Sequence, residues 1–252
     1  MSMSRVDRLK YIPASEKLNR KEIVLKCGNV EVGVDTLGGF VEFARIGGFD
    51  IIVPRTGNNQ KRSGIPRLGP VAGPVAGTEW EKLYPKMSSH GYDRDEPIGL
   101  VDYSDRVVLL EKTEGPRQFK GVWRTELEVE ATTDGLVMTQ RVTNLEDKPS
   151  VRAVAFHPYF PGDLTVIRPE SISVIPNYKQ SIMYPGCDEI VFMVGGREAV
   201  INFSPFPNKI VDWRETDTHR CLEPWWADKG DGWTFGSREK VAFQMKISCR
   251  KA

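Results

Sequence analysis

The stretch TELEVEATTDGLVMTQRVT, residues 125–143, decides the fold. From Thr125 to Ala131 it alternates, with Leu127 and Val129 on one side and Glu126, Glu128 and Glu130 on the other, the mark of a strand with one buried face. Asp134-Gly135 supplies a turn, and Leu136 to Thr143 returns as the second strand of a hairpin. The same pattern extends outward. Glu22 to Asp35 reads as two strands broken at Gly28-Asn29, and Gly38-Gly39 precedes a strand from Phe40 to Ala44. Gly47-Gly48 turns the chain into the apolar run Ile51-Ile52-Val53, which Pro54 ends. Strand-like runs recur at Val107–Leu110, Val151–Phe156, Ser171–Ile175, Ala199–Phe203 and Val241–Ser248. The 17 prolines and 23 glycines are too many for long helices to survive intact. One short helix is read at Gly186–Phe192. No repeat, low-complexity tract or linker marks a boundary. The expectation is an all-β chain: one large antiparallel β-sandwich over residues 1–252, with 1–20 as an N-terminal extension.

Composition narrows the function classes. The 252 residues carry 35 basic and 34 acidic side chains for a net charge of +1. No basic stripe or acidic tail stands out, which argues against nucleic acid as a partner. Met1 to Lys21 has no apolar core of the signal-peptide kind, and no run is long enough to cross a bilayer. The expected setting is therefore the cytoplasm, with no membrane partner. Cys27, Cys187, Cys221 and Cys249 are scattered without a C-x-x-C pair and read as reduced thiols. The Asn202-Phe203-Ser204 sequon is accidental in that compartment.

Three elements suggest chemistry. His90 lies in the loop Ser88-Ser89-His90-Gly91-Tyr92-Asp93-Arg94. His157 ends the strand Val151–Phe156, and Pro158 biases it towards extended geometry. For either histidine alone, a hydrogen-bonded structural role is the simpler reading. His219, in the polar run Glu215–Arg220, reads as a solvent-facing loop residue. The third element is Cys221-Leu222-Glu223-Pro224-Trp225-Trp226. A carboxylate in so apolar a setting would have its pKa raised towards the range of a general base. The tandem tryptophans offer flat faces for a sugar ring. The opposing reading, core tryptophans with Glu223 paired to an arginine, weighs about evenly from composition. There is no dinucleotide or Walker fingerprint, no H-E-x-x-H and no G-x-S-x-G. No short-spaced ligand pair supports a metal site, so none is expected.

Taken in order, Gly64-Ile65-Pro66 with Gly69-Pro70, His90-Gly91-Tyr92-Asp93-Arg94, Val142-Thr143-Asn144, Phe156-His157-Pro158-Tyr159-Phe160 and Leu222-Glu223-Pro224-Trp225 form a series. It resembles the aldose 1-epimerases, and in particular the branch with the hexose-6-phosphate epimerases, over roughly residues 22 to 250. The resemblance implies a galactose mutarotase-like β-supersandwich that holds a sugar in a cleft on one sheet, without a cofactor. It also implies that Glu223 takes the proton of the anomeric hydroxyl while His157 gives one to the ring oxygen. The opened aldehyde then rotates and recloses with the roles exchanged. His90 would orient the sugar near its ring oxygen, giving Glu223, His157 and His90 as the catalytic group.

The chain departs from that family in its sugar-reading shell. Pro74 stands where the family usually has a sugar-binding arginine, and Arg67 is the candidate replacement. Pro97-Ile98-Gly99 stands where a tryptophan is common. Asp188 is the candidate for a sugar-contacting aspartate, and Arg94 and Trp225 complete the expected binding residues. Arg62, Arg67, Lys86 and Arg94 are the basic residues available to a phosphate. The expected partner is thus a monosaccharide or its phosphate, handled by a monomer or homodimer. A carbohydrate-binding homologue without turnover is the second reading, and a lyase or hydrolase on a similar sandwich the third.

Overall fold

The computed structural model describes residues 10–11, 21–55, 62–73, 81, 87, 89–115, 121–162, 164–172, 176–177, 179–216, 218–227 and 232–249. Pro74, Lys86, most of the expected N-terminal extension and much of the irregular 57–77 segment lie outside these residues. The described strands are, in chain order, β1 (Lys10–Tyr11), β2 (Glu22–Cys27), β3 (Val30–Asp35), β4 (Phe40–Ile46), β5 (Phe49–Asp50), β6 (Arg67–Leu68) and β7 (Gly99–Tyr103). They continue with β8 (Val107–Glu114), β9 (Trp123–Ala131), β10 (Gly135–Asn144), β11 (Ser150–Arg152), β12 (Val154–Phe156), β13 (Tyr159–Pro161) and β14 (Thr165–Arg168). The last seven are β15 (Gln180–Pro185), β16 (Glu189–Val194), β17 (Arg197–Ser204), β18 (Lys209–Thr216), β19 (His219–Trp226), β20 (Trp233–Phe235) and β21 (Lys240–Cys249).

These strands build a nine-stranded sheet in the order β1-β7-β8-β9-β10-β21-β17-β16-β14 and a six-stranded sheet, β15-β18-β19-β12-β6, in which β13 also pairs with β19. A four-stranded sheet, β2-β3-β4-β5, and the β11-β20 pair complete it. The all-β antiparallel sandwich expected from alternation is the observed architecture. No described helix is long and apolar enough to cross a membrane.

The β9–β10 hairpin sits at the heart of the large sheet. Its register runs from Leu136 opposite Ala131 to Asn144 opposite Trp123. The amide of Thr132 donates to the carbonyl of Gly135 at 2.8 Å, and the Thr132 hydroxyl to Asp134 at 2.8 Å, which closes the turn. Leu127, Val129, Met138 and Val142 are buried, while Glu128 faces outward and meets Arg141 at 3.1 Å. Burying each such aliphatic side chain contributes about 1.5–3 kcal/mol. Leu25, Val32 and Val41 of the four-stranded sheet and Phe156, Ile210, Leu222 and Trp226 of the six-stranded sheet belong to the same core.

Local details follow the residue chemistry. Gly28, at φ 61°, takes the first central position of the two-residue turn between β2 and β3, which an L side chain would strain. Four expectations differ from the structure. The run read as one strand, Val151–Phe156, is split at Ala153 into β11 and β12, which belong to different sheets. The segment read as a short helix at Gly186–Phe192 is β16 from Glu189 onward, paired with β17. Its apolar run Ile190-Val191-Phe192 is short enough to suit either period, and its β-branched and aromatic content suits the sheet. Ile51 and Ile52 form a buried bend outside any strand, with the amide of Ile51 bonded to the carbonyl of Ala44. Glu170–Ile172 is a 3-10 turn at the start of the segment read as a strand, and 173–175 lie outside the described residues.

Candidate active site

Strand β19 is buried along its whole length, on both faces. Period-two geometry divides it: Leu222 and Trp226 point into the main core, whereas His219, Cys221, Glu223 and Trp225 share the opposite face. Neighbouring strands complete that face. Val211 and Trp213 of β18 stand opposite Glu223 and Cys221, Tyr159 of β13 stands opposite Cys221, and Ala155 of β12 stands opposite Trp225. His157 falls between β12 and β13, where its amide bonds the carbonyl of Pro66 at 3.0 Å. This placement brings the two residues singled out for proton transfer together.

His157 Nε2 lies 3.0 Å from Glu223 Oε1, with both side chains only 3% exposed. On the other carboxyl oxygen, the indole N–H of Trp225 donates to Glu223 Oε2 at 3.0 Å. Burial raises the Glu223 pKa to about 8, the Trp225 hydrogen bond and Arg94 opposing the shift and Asp212 adding to it. Burial likewise pushes His157 well below its ordinary value, with the neighbouring His90 and Arg94 acting in the same direction. Both groups therefore favour their neutral forms, a carboxylic acid beside an imidazole. Because Trp225 holds Oε2 as an acceptor, the carboxylic proton belongs on Oε1, on the hydrogen bond to His157 Nε2. Tyr159 stacks on the imidazole at 4.5 Å and 22°, and Trp213 meets it edge-on at 6.0 Å. These rings fix its plane; its Nδ1 is buried without a hydrogen-bond partner among the described residues.

His90 joins from a different direction. Its ring stands edge-on to His157 at 5.5 Å and to Trp225 at 6.5 Å. The amide of Gly73 donates to His90 Nδ1 at 3.0 Å, so Nδ1 is an acceptor and Nε2 carries the ring proton. Burial, then Arg94, lowers its pKa to about 4 and keeps the ring neutral. His90 has φ 67° and Gly91 φ 69°, two consecutive left-handed residues that fold the loop back. A side chain at Gly91 would collide with the carbonyl of Gly69.

The expected binding residues are placed unequally. Arg94 is partly exposed, and its charge acts on His90, His157 and Glu223. Arg67 is fully buried. Its Nε donates to the carbonyl of Gly38 at 2.7 Å and Nη2 to the carbonyl of Asp93 at 3.1 Å, and Nη1 lies 3.6 Å from the Asp93 carboxylate, so the guanidinium is committed to Gly38 and Asp93. Asp188 is exposed in the β15–β16 connection, where its carbonyl accepts from the amide of Phe203 at 2.9 Å. Trp225 touches the site through its N–H, while a Cβ at Gly73 would collide with its ring, so that edge is covered. Trp226 is a core residue beside Phe156 and Phe243. Trp225 is 7% exposed and Trp226 fully buried, so little of either ring is open.

Sequence reasoning missed His219, Cys221, Tyr159 and Trp213 as members of this face. His219 is 9% exposed rather than solvent-facing, because counting back by twos from Glu223 keeps it on the inner side of β19. Donor atoms of His157, Cys221 and Glu223 lie within 4.8 Å of one another, a spacing compatible with a divalent cation. A metal needs these ligands deprotonated, and burial drives both Glu223 and the Cys221 thiol the other way. The arrangement suits proton exchange better.

No protein-family model and no curated protein matches the sequence. Solved structures do match. A protein from Synechocystis is 16% identical with a TM-score of 0.75, covering 96% of this chain and 100% of its own. A galactose mutarotase-like protein from Lactobacillus casei is 16% identical with a TM-score of 0.73, covering 91% and 100%. A galactose mutarotase related enzyme from Lactobacillus acidophilus is 12% identical with a TM-score of 0.74, covering 92% and 98%. The fold of this chain is the galactose mutarotase-like β-sandwich.

Proposed function

We propose that this galactose mutarotase-like chain is an aldose 1-epimerase, an isomerase that interconverts the α and β anomers of an aldose or aldose phosphate. One observation carries the proposal: the buried 3.0 Å contact between His157 Nε2 and Glu223 Oε1. Anomer exchange needs one group to take the proton of the anomeric hydroxyl and another to protonate the ring oxygen, with the roles reversed on reclosure. A pair holding a single transferable proton does both halves without an outside donor.

The resting proton sits on Glu223, so the chemistry begins with an internal transfer. Along the existing hydrogen bond, Glu223 hands its proton to His157. The two adjacent oxygens of the hemiacetal then take the place of the single contact between the residues. Glu223 accepts the proton of the anomeric hydroxyl as His157 protonates the ring oxygen, and the ring opens to the aldehyde. This returns the pair to its resting form, ready to reclose the ring on either face. His90, as a neutral Nε2–H donor, orients the sugar, and Arg94 supplies a positive charge that acts on both members of the pair. The reaction moves protons only and includes no cofactor.

The test is anomer exchange followed by NMR across a panel of hexoses and hexose phosphates. Acceleration of at least one sugar supports the proposal, and the uncatalysed rate throughout the panel overturns it. Saturable sugar binding with no exchange would favour a carbohydrate-binding role, to which the missing arginine at Pro74 points.

A further inference from the structure

Beneath the His90 loop lies a buried charge cluster that the proposed chemistry does not use. Asp93 is three residues beyond His90 and 1% exposed. Its Oδ2 accepts from Arg152 Nη2 at 2.8 Å and lies 3.6 Å from Arg67 Nη1. Arg152, fully buried, reaches from Asp93 to Glu114, and Lys112 meets Glu114 at 3.2 Å while bridging to Glu96. The cluster holds three cationic and three anionic side chains, so no net charge is left buried. Burial alone would raise Asp93, but Arg152, Arg67 and Lys112 hold it below the usual carboxylate range.

The cluster is joined to the site by backbone. The amides of Tyr92 and Asp93 both donate to the carbonyl of Gly69 at 3.0 Å. The Asp93 carboxylate lies against Gly69 so closely that a Cβ there would collide with it. Four residues on, the carbonyl of Gly73 accepts from the amide of His90 at 2.9 Å, and the amide of Gly73 donates to His90 Nδ1 at 3.0 Å. The loops 69–73 and 89–93 are thus laced together, with Asp93 anchoring one end of the lacing and the imidazole of His90 the other.

We propose that Asp93, clamped by Arg152 and Arg67, is the positioning residue that sets the ring and tautomer of His90 over the His157–Glu223 pair. The catalytic consequence rests on the epimerase reading; the geometric one does not. A buried carboxylate whose Oδ2 accepts from Arg152 and faces the charge of Arg67 cannot swing with the loop, because moving it would leave buried charges without partners. The rigidity is passed to Gly69 and Gly73, and Gly73 then holds Nδ1 as an acceptor. Loosening the clamp frees the ring to rotate and to place its proton on either nitrogen.

The experiment uses Asp93→Asn, which keeps shape and removes charge, with Arg152→Lys as a milder second variant. With three histidines in the chain, imidazole nitrogen NMR resolves His90 directly. The wild type is expected to show a single Nε2–H tautomer for His90 with a hydrogen-bonded Nδ1. In Asp93→Asn the Nδ1 resonance shifts as the tautomers mix, and kcat for anomer exchange falls about 10- to 100-fold with a smaller change in KM. Arg152→Lys gives the same changes at smaller size. Met138→Ala, a buried core truncation remote from the loop, lowers stability without moving the His90 signals. Unchanged His90 resonances in folded Asp93→Asn or folded Arg152→Lys overturn the proposal. Shifted resonances in a protein that exchanges no sugar keep the positioning role and overturn the epimerase reading instead.

Discussion

Replacing Glu223 by glutamine should make the protein more stable while removing the proposed chemistry, and the gain should depend on pH. Burial raises Glu223 from its ordinary value of 4.5 to about 8 in the folded state. Between those values the folded protein holds a proton that the unfolded chain has lost, so stability falls as pH rises through this window and levels off above about 8. At about 1.4 kcal/mol per unit of pKa, the penalty is under ~1 kcal/mol at pH 5, roughly 3 kcal/mol at pH 7 and roughly 4 kcal/mol at pH 8. Glutamine copies the protonated acid. Its oxygen accepts from Trp225 Nε1, its amide donates to His157 Nε2, and it cannot ionise. Urea unfolding of both proteins at pH 5, 6, 7 and 8 should show curves that nearly coincide at the acid end and diverge towards pH 8. At pH 7 the melting temperature should rise by roughly 6–12 °C. A stability difference that stays flat from pH 5 to 8, or a glutamine variant less stable at pH 8, would refute the account of Glu223.

Other predictions follow from the same geometry. Anomer exchange should hold level through neutrality and fall as pH rises through about 8, where the pair loses its single proton, with the acid limb well below the usual histidine range. A rate that climbs between pH 6 and 7 would contradict this. Trp225→Phe removes the donor that lowers the Glu223 pKa, so the alkaline limb should move to higher pH, read from the pH–rate profile. Arg220→Met leaves Asp212 without the partner that meets it at 2.6 Å, and urea unfolding should show a loss of about 3–5 kcal/mol.

The sequence made the architecture legible wherever one face of a strand is buried. The β9–β10 hairpin and the β2–β3 turn appear where alternation and the glycine turns place them. Gly186–Phe192 was not legible, because a short apolar run suits helix and strand alike and only pairing with β17 decides it. At the site, Glu223 and His157 stood out by their surroundings, yet nothing in their separate stretches states that β19 lies beside β12 and β13. Arg67 read as a replacement sugar ligand because its burial among Gly38, Asp93 and Arg152 depends on contacts across distant strands. His219 was hidden by polar neighbours, although the alternation through Glu223 carried the signal.

The most direct test of the central claim is anomer exchange measured by saturation-transfer NMR on the wild type and on Glu223→Gln, with sugar binding followed in the same samples. Catalysed exchange is expected in the wild type and a loss of at least ~100-fold in the variant, with binding retained. Equal exchange rates in the two proteins would contradict that claim.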